Sequence, residues 1–364
     1  MFCMNNAILK KYDVIGLMSG TSGDGLDIAH CSFFYDGGWS FRINFAETIA
    51  YLDEISELLE KAFHSSIDLE SISKIYGNFI GEQVNSFRNK HNVDADFIAS
   101  HGHTIFHSPN EGLTLQIGDG NVIAQVCKLP VVYDFRTQDV ALGGQGAPLV
   151  PVGDKLLFGN YDYCINIGGF SNISFDECVH EKNTRLAFDI CPVNIILNEL
   201  SKILGKEYDK NGEIAKNNKV NIDMMEELNN IEYYKLSHPK SLGKEYVINY
   251  FNPIIAKYKN SASIEEIIAT YTEHAATQIG RSIKHGNALL TGGGVFNKHL
   301  INRIEYYADG KCELIIPDEI LINYKEALIF AFMGVLKMRE ETNIYSSVTG
   351  ASKDHCGGRI AGKY

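Results

Sequence analysis

GLMSGTSGDGLDIAH, residues 16–30, places four glycines, three hydroxyl side chains and two aspartates directly behind a short apolar run. Glycine inside an element costs roughly 0.5–1 kcal/mol relative to alanine, so such a cluster needs a physical reason. One reason is a tight turn between two strands. The other is a backbone that approaches a ligand closely, its N–H groups cradling phosphate oxygens. Tyr12–Leu17 and Ile28–Tyr35 both read as short strands, and Phe41–Ala50 alternates well enough to be a third. The glycine cluster therefore joins the first two strands of a meander. No lysine follows in the manner of GxxxxGK[ST], and a strand follows where a Rossmann fingerprint needs a helix.

Working outward, helical spacing of Leu69, Ile72, Ile75, Phe79, Ile80 and Val84 predicts a helix from about 68 to 89, with Ser65, Ser66 and Asp68 as candidate caps. A strand follows over Ala95–Ser100. GGQG at 143–146, followed by Ala147-Pro148, has the chemistry of a linker. A second meander opens at Asp162 with YCINIGGFSNISF, which repeats the strand–glycine–strand outline of the first. Helices are expected at about 192–204, 263–284 and 324–340, and ALLTGGG at 288–294 reads as strand then loop. Two halves that begin alike predict a duplicated α/β fold around a cleft. The expected domains are 1–142, completed by about 341–364, and 143–340.

Composition bounds the function. The chain has 364 residues, 45% hydrophobic and 21% charged, as suits a globular protein of about two domains. A net charge of -12 argues against nucleic acid or an anionic membrane as the main partner, since both need basic surface. The eight cysteines (3, 31, 127, 164, 178, 191, 312 and 356) contain no C-x-x-C pair and read as reduced thiols. MFCMNNAILKKYD carries no secretory pattern, and no apolar run approaches the about 20 residues that span a bilayer. The expected location is the cytoplasm.

Several stretches carry chemistry. In the opening loop the N–H groups of Gly20, Gly23 and Gly25, with Thr21 and Ser22, suit phosphate; Asp24 and Asp27 suit Mg²⁺ held through water. An ordinary glycine-rich hairpin explains the same residues. TGGGVFN, 291–297, lets a flat ligand lie on backbone, with Asn297 either capping the next helix or touching the ligand. In FDICPVN, 188–194, Asp189 sits at a strand end and Pro192 is expected in the first turn of a helix. That makes Asp189 either a general base or a helix N-cap. SHGHTIFHS, 100–108, holds His101, His103 and His107, at metal-ligand spacing but without a Cys or carboxylate to complete a cage. Hydrogen bonding to a polar substrate is the better functional reading. DFRTQDVALGGQGAPLVP, 134–151, adds Arg136 and Asp139. Glu326 in NYKEALIFAFMG either complements the dipole of a helix's first turn or is a carboxylate facing a cleft.

The order of these stretches, with LQIGDG, NIGGFSN, EAL-x-FA and the late SSVTGAS, resembles the 1,6-anhydro-N-acetylmuramic acid kinases from about residue 13 to 352. The resemblance implies two ribonuclease-H-like domains of the actin-like and sugar-kinase superfamily around a nucleotide cleft. It implies an ATP-dependent kinase that opens an anhydro amino sugar with water, phosphorylates O6, and gives N-acetylmuramate 6-phosphate. On that resemblance Gly20, Thr21, Ser22, Gly23, Asp24, Gly25, Leu26 and Asp27 hold the ATP phosphates and Mg²⁺, with Asp24 and Asp27 as metal ligands. Gly168, Gly169 and Asn172 form a second phosphate loop, and Gly292, Gly293, Gly294 and Asn297 bind the adenosine side. His101, His103, Thr104, Arg136 and Asn194 contact the sugar. Asp189 is the catalytic base and Glu326 assists it. A homodimer stays open as an assembly.

The chain departs from the family pattern at three places: Gly23 replaces leucine, His103 replaces glutamine, and FDICPVN replaces FDTGPGN. Ile190, Cys191 and Val193 are thus expected to alter the wall of the sugar pocket. A levoglucosan-type anhydrohexose kinase is the nearest alternative. A non-enzymatic ATP switch of the same superfamily is a second; it would not need Asp189 and Glu326.

Overall fold

The two meanders expected from the glycine-bearing stretches each form half of a mixed β-sheet. The computed structural model describes residues 10–20, 25–64, 68–179, 181–238 and 240–363. In the first sheet β1 (Lys10–Ser19), β2 (Gly25–Tyr35) and β3 (Trp39–Ala50) run antiparallel in sequence. β4 (Phe97–Ser108) then pairs parallel to β1 on its other side. Beyond it β5 (Leu113–Ile117) pairs antiparallel to β4, and β6 (Val131–Tyr133) parallel to it. A closing strand, Arg359–Ala361, returns antiparallel to β6. The second sheet contains β7 (Tyr163–Ile167), β8 (Phe170–Val179), β9 (Lys182–Pro192), β10 (Gly286–Thr291) and β11 (Cys312–Ile315). Its order is β11-β10-β7-β8-β9.

Set side by side, β3-β2-β1-β4-β6 and β9-β8-β7-β10-β11 have one pattern: a three-stranded antiparallel meander whose first strand carries two further strands in parallel. This is the ribonuclease-H-like arrangement, present twice. The chain divides accordingly into Met1–Leu157 with Tyr324–Tyr364, and Phe158–Asn323. GGQG, whose composition reads as a linker, lies inside the first unit, because backbone and side-chain bonds through Asp139 tie it there. Gly146 N donates to Asp139 Oδ2 at 2.7 Å, and Thr349 Oγ1 to Asp139 Oδ1 at 2.7 Å.

Local signals account for most of the helices. Asp68 caps the helix Leu69–His91, accepting from the N–H groups of Glu70 and Ser71. Ser263 and Glu266 form a reciprocal capping box on Ile264–Ser282. Each unit has its own apolar core. Ile15, Leu17, Ile28, Tyr76, Ile80 and Ile98 meet in the first; Ile165, Ile173, Leu197, Tyr271, Ile279 and Leu290 meet in the second.

The helix Glu319–Met338 lies hard against the first sheet. A Cβ on Gly16 of β1 would stand 2.0 Å from the carbonyl oxygen of Ala327 and 2.8 Å from Ala331 Cβ. Gly16→Ala therefore has to push the helix off the strand, and overpacking of this kind costs about 1–3 kcal/mol. Urea unfolding should show that loss. In Gly38→Ala the added methyl meets nothing within 4 Å, and it should leave the midpoint unchanged.

Candidate functional site

In parallel ribonuclease-H-like strands the chain turns away at the carboxyl ends, where open α/β sheets bind ligands. In the second unit those ends are Ile167 and Thr291 of the neighbouring parallel strands β7 and β10. Gly168 and Gly169 follow one, and Gly292–Gly294 the other. Gly292 has φ of +85°, and a Cβ there would stand 2.5 Å from Asn166 Oδ1, so only glycine makes this turn without strain. Gly293 has open space for 4 Å around its Cβ position, and at Gly169 the nearest atom is Ile195 Cβ at 3.9 Å. Bare backbone therefore remains open to close approach at Gly169 and Gly293. Asn297 caps the helix Lys298–Ala308, its Oδ1 accepting from Leu300 N at 2.9 Å, which is the structural one of its two expected roles.

Asp189 stands in a row across the sheet. Thr291 pairs with Asn166, Asn166 with Asn172, and Asn172 with Asp189. Cross-strand partners share a face, so the row is polar where the one before it, Leu290, Ile165, Ile173 and Phe188, is apolar. The register slips between Ser171 and Asn172, leaving Ile190 as the extra residue of a bulge. Bulges re-aim side chains and are frequent beside active sites.

Asp189 is not a helix cap. Pro192 is the last residue of β9 rather than the first turn of a helix, and the next helix, Asn194–Ile203, has Val193 at its N-cap position. The turn is stitched to the glycine loop instead: Val193 N donates to Gly169 O at 2.7 Å and Asn194 N to Gly168 O at 3.2 Å. Ile190, Cys191 and Val193 are 4%, 0% and 0% exposed and belong to the second core. Their departure from the family pattern is thus a change of interior packing behind Asp189.

The Asp189 carboxylate is held by a segment the sequence left unread. Leu242 N donates to its Oδ2 at 2.8 Å, Asp189 N donates to Lys240 O at 3.1 Å, and Tyr233 Oη donates to Asp189 O at 2.5 Å. Burial raises its pKa to about 6 from 3.8, opposed by the Leu242 bond. A carboxylate with that proton affinity suits general base catalysis near neutrality.

In the first unit, Thr21, Ser22, Gly23 and Asp24 lie outside the described residues. Gly20 follows β1; Gly25, Leu26 and Asp27 begin β2, and Ser19 faces Leu26 across the pair. Thr48 Oγ1 donates to Asp27 Oδ1 at 2.6 Å. Among the described residues no group of three metal-ligating side chains is gathered. Asp27 is a hard oxygen donor of the kind Mg²⁺ takes, one or two carboxylates completed by phosphate oxygens and water.

The histidines go to separate partners, so the metal reading of their spacing falls. His101 Nε2 accepts from Arg136 Nε at 3.0 Å and Nη2 at 2.8 Å, while Nδ1 faces Gly102 O at 2.8 Å. His103 Nδ1 lies 2.7 Å from Ser19 Oγ, which in turn bonds Tyr51 Oη at 2.6 Å. Burial lowers the His103 pKa to about 4. His107 Nδ1 meets Thr114 Oγ1 at 3.1 Å, and Thr104 Oγ1 lies 3.4 Å from Gln116 Nε2. Arg136 also donates to Gly146 O at 2.5 Å; burial lowers its pKa to about 10 against the opposing charges of Glu326 and Asp139. Glu326 lies seven residues inside the helix that starts at Glu319, about two turns in. A dipole-complementing place in the first turn is therefore excluded. Burial, and after it the charge of Asp27, raises its pKa, while Lys325 and Arg136 lower it. Asn166, Tyr233 and Leu242 were not expected; the only sequence signal for Asn166 is its place before the second glycine pair.

A family model described as anhydro-N-acetylmuramic acid kinase matches residues 12–363. The chain is 35% identical to an anhydro-N-acetylmuramic acid kinase of Francisella tularensis subsp. novicida, covering 93% of this chain and 95% of the relative. It is 33% identical to one of Clostridioides difficile, covering 96% and 98%. Among solved structures, an activator of the 2-hydroxyisocaproyl-CoA dehydratase from Clostridium difficile with bound ADPNP is similar at TM-score 0.42 and 15% identity, covering 91% of this chain and 97% of that one. A hexokinase from Schistosoma mansoni complexed with glucose is similar at TM-score 0.34 and 11% identity, covering 88% and 85%.

The raised pKa of Asp189 has a consequence for stability. The folded protein holds this proton more tightly than the unfolded chain, so the cost of burying the anion is fully present above about pH 6 and fades as pH falls toward about 4. Asp189→Asn is therefore expected to raise the urea midpoint at about pH 8 and to lose most of that gain at about pH 4.5. An equal effect at both pH values would show that burial does not hold the carboxyl up.

Proposed function

The chain belongs to the anhydro-N-acetylmuramic acid kinase family, and from that premise we propose how its residues carry out a coupled hydrolysis and phosphoryl transfer. It is a sugar kinase that uses ATP. The reaction read here takes 1,6-anhydro-N-acetylmuramic acid, water and ATP to N-acetylmuramate 6-phosphate and ADP. The observation that carries the reading is Asp189: a carboxylate with a pKa near 6, fixed by backbone on a polar cross-strand row beside bare glycine turns.

Water attacks the anomeric carbon as positive charge develops there, and Asp189 takes the proton that the water loses. The C1–O6 bond breaks, and its electron pair stays on O6. That oxygen accepts the γ-phosphoryl group, so the leaving oxygen is trapped without a separate strong acid. His101, His103, Thr104 and Arg136 of the first unit, and Asn194 of the second, are each assigned to hydrogen bonding with the sugar. Glu326 is assigned the supporting role of orienting the water or stabilising the oxocarbenium-like state.

The phosphates are assigned to Gly20–Asp27, to Gly168, Gly169 and Asn172, and the adenosine side to Gly292–Gly294, with Asn297 holding that turn through its cap. Asp24 and Asp27 would hold Mg²⁺, which when bound neutralises charge on the transferring phosphoryl group. The protein is assigned to the cytoplasm; no helix among the described residues is long and apolar enough to cross a membrane.

ATP-to-ADP conversion should depend on anhydro-N-acetylmuramate and be far weaker with levoglucosan. Turnover with open N-acetylmuramate alone would sink the anhydro-sugar reading. Asp189→Asn should keep nucleotide and sugar binding while turnover falls by about 10²–10⁴, the usual worth of general base catalysis. A near-normal rate would remove Asp189 from the mechanism.

A further inference from the structure

Glu326 is preceded in its helix by Lys325, whose Nζ lies 2.7 Å from Asp154 Oδ1, with both side chains 5% exposed. Asp154 belongs to the short helix Pro151–Leu157, which packs on the same long helix where Gly153 meets Ile329. A buried ion pair is weak evidence for stability, because desolvation offsets most of the Coulomb gain. It is a good device for fixing geometry.

Successive residues of an α-helix point about 100° apart around its axis. Anchoring Lys325 on Asp154 thus sets the rotation of the helix, and with it the direction of Glu326. Its neighbour on the other side, Tyr324, places its hydroxyl 3.4 Å from Thr48 Oγ1, and Thr48 donates to Asp27. Packing of Gly16 against Ala327 fixes the depth of the same turn. The charged groups that act on Glu326 come from each element around it: Asp27 from β2, Arg136 from the segment after β6, Asp154 from the short helix, and Lys325 from its own.

We propose that the buried Lys325–Asp154 pair is a positioning device for Glu326: it locks the rotation of the helix and so fixes the direction of the Glu326 carboxylate. The proposal rests on the assisting role of Glu326 given above. Lys325 and Asp154 touch no reacting atom in this account; they act through Glu326.

The test is a double-mutant cycle in the full-length enzyme. Lys325→Met with Asp154→Leu replaces both charges by apolar groups and so leaves neither buried and unpaired. That variant is expected to keep the KM for ATP and sugar within about threefold while kcat falls by about tenfold or more. Glu326→Gln should then cost several-fold less in kcat on that background than in the native enzyme, because a carboxylate already misdirected has less to lose. Additive losses overturn the proposal, as does an unchanged kcat in the pair-free variant. If the apolar pair does not fold, Lys325→Met alone, in which the buried Asp154 can take up a proton and become neutral, carries the same cycle to the same two answers. The underlying reading fails differently: if Glu326→Gln leaves the native rate intact, Glu326 has no assisting role and the pair has nothing to position.

Discussion

The contact between Gly16 of β1 and the backbone of Ala327 is the constraint on which the first unit turns. With no side chain on the strand, the helix Glu319–Met338 can sit with its carbonyl against the sheet. That single approach fixes three things at once. It sets the depth of the turn that carries Tyr324, Lys325 and Glu326. It places that turn beside β1, whose last residue, Ser19, leads into the glycine-rich loop. It also seats Phe330 over the ring of His101, 4.6 Å between centroids, where His101 receives Arg136. A larger residue at position 16 would displace all of these together.

The two assigned carboxylates have raised proton affinities from a common cause and with different company. Asp189 is held up by burial and steadied by one backbone N–H; the charges around it are few. Glu326 is held up by burial too, but it stands among Asp27, Asp154, Lys325 and Arg136, whose opposing charges partly cancel. The first environment suits a group that must exchange a proton with water. The second is a balance of several charges, so a change in any one of them shifts it.

Much of this was legible in the sequence, for identifiable reasons. The meanders are antiparallel, local and punctuated by glycine, so YDVIGL, the opening loop and YCINIGGFSN announced both sheets. Asp68 and Asn297 sit at helix starts, where capping is among the uses the sequence offers them, and both cap. What stayed hidden depends on long-range register. Pro192 looked like a helix start, yet a bulge at Ile190 carries the strand through it. The hold on Asp189 comes from Tyr233, Lys240 and Leu242, in a stretch of short helical turns with no sustained period. Glu326 looked like a first-turn residue because polar Asn323–Lys325 precede it, whereas the helix begins at Glu319. GGQG looked like a linker because nothing local reveals that Asp139 and Thr349 bind it.

The central claim is that the bond from the anomeric carbon to the bridging oxygen breaks, and that this same oxygen takes the phosphoryl group. Anhydro-N-acetylmuramate carrying ¹⁸O in the 1,6 bridge tests it in one turnover, read by the isotope shift of the product's ³¹P resonance. The account predicts ¹⁸O in the bridge between C6 and phosphorus. Product phosphate bonded through ¹⁶O, with the label left on the anomeric carbon, would mean that the C6–O bond breaks instead and would contradict the mechanism.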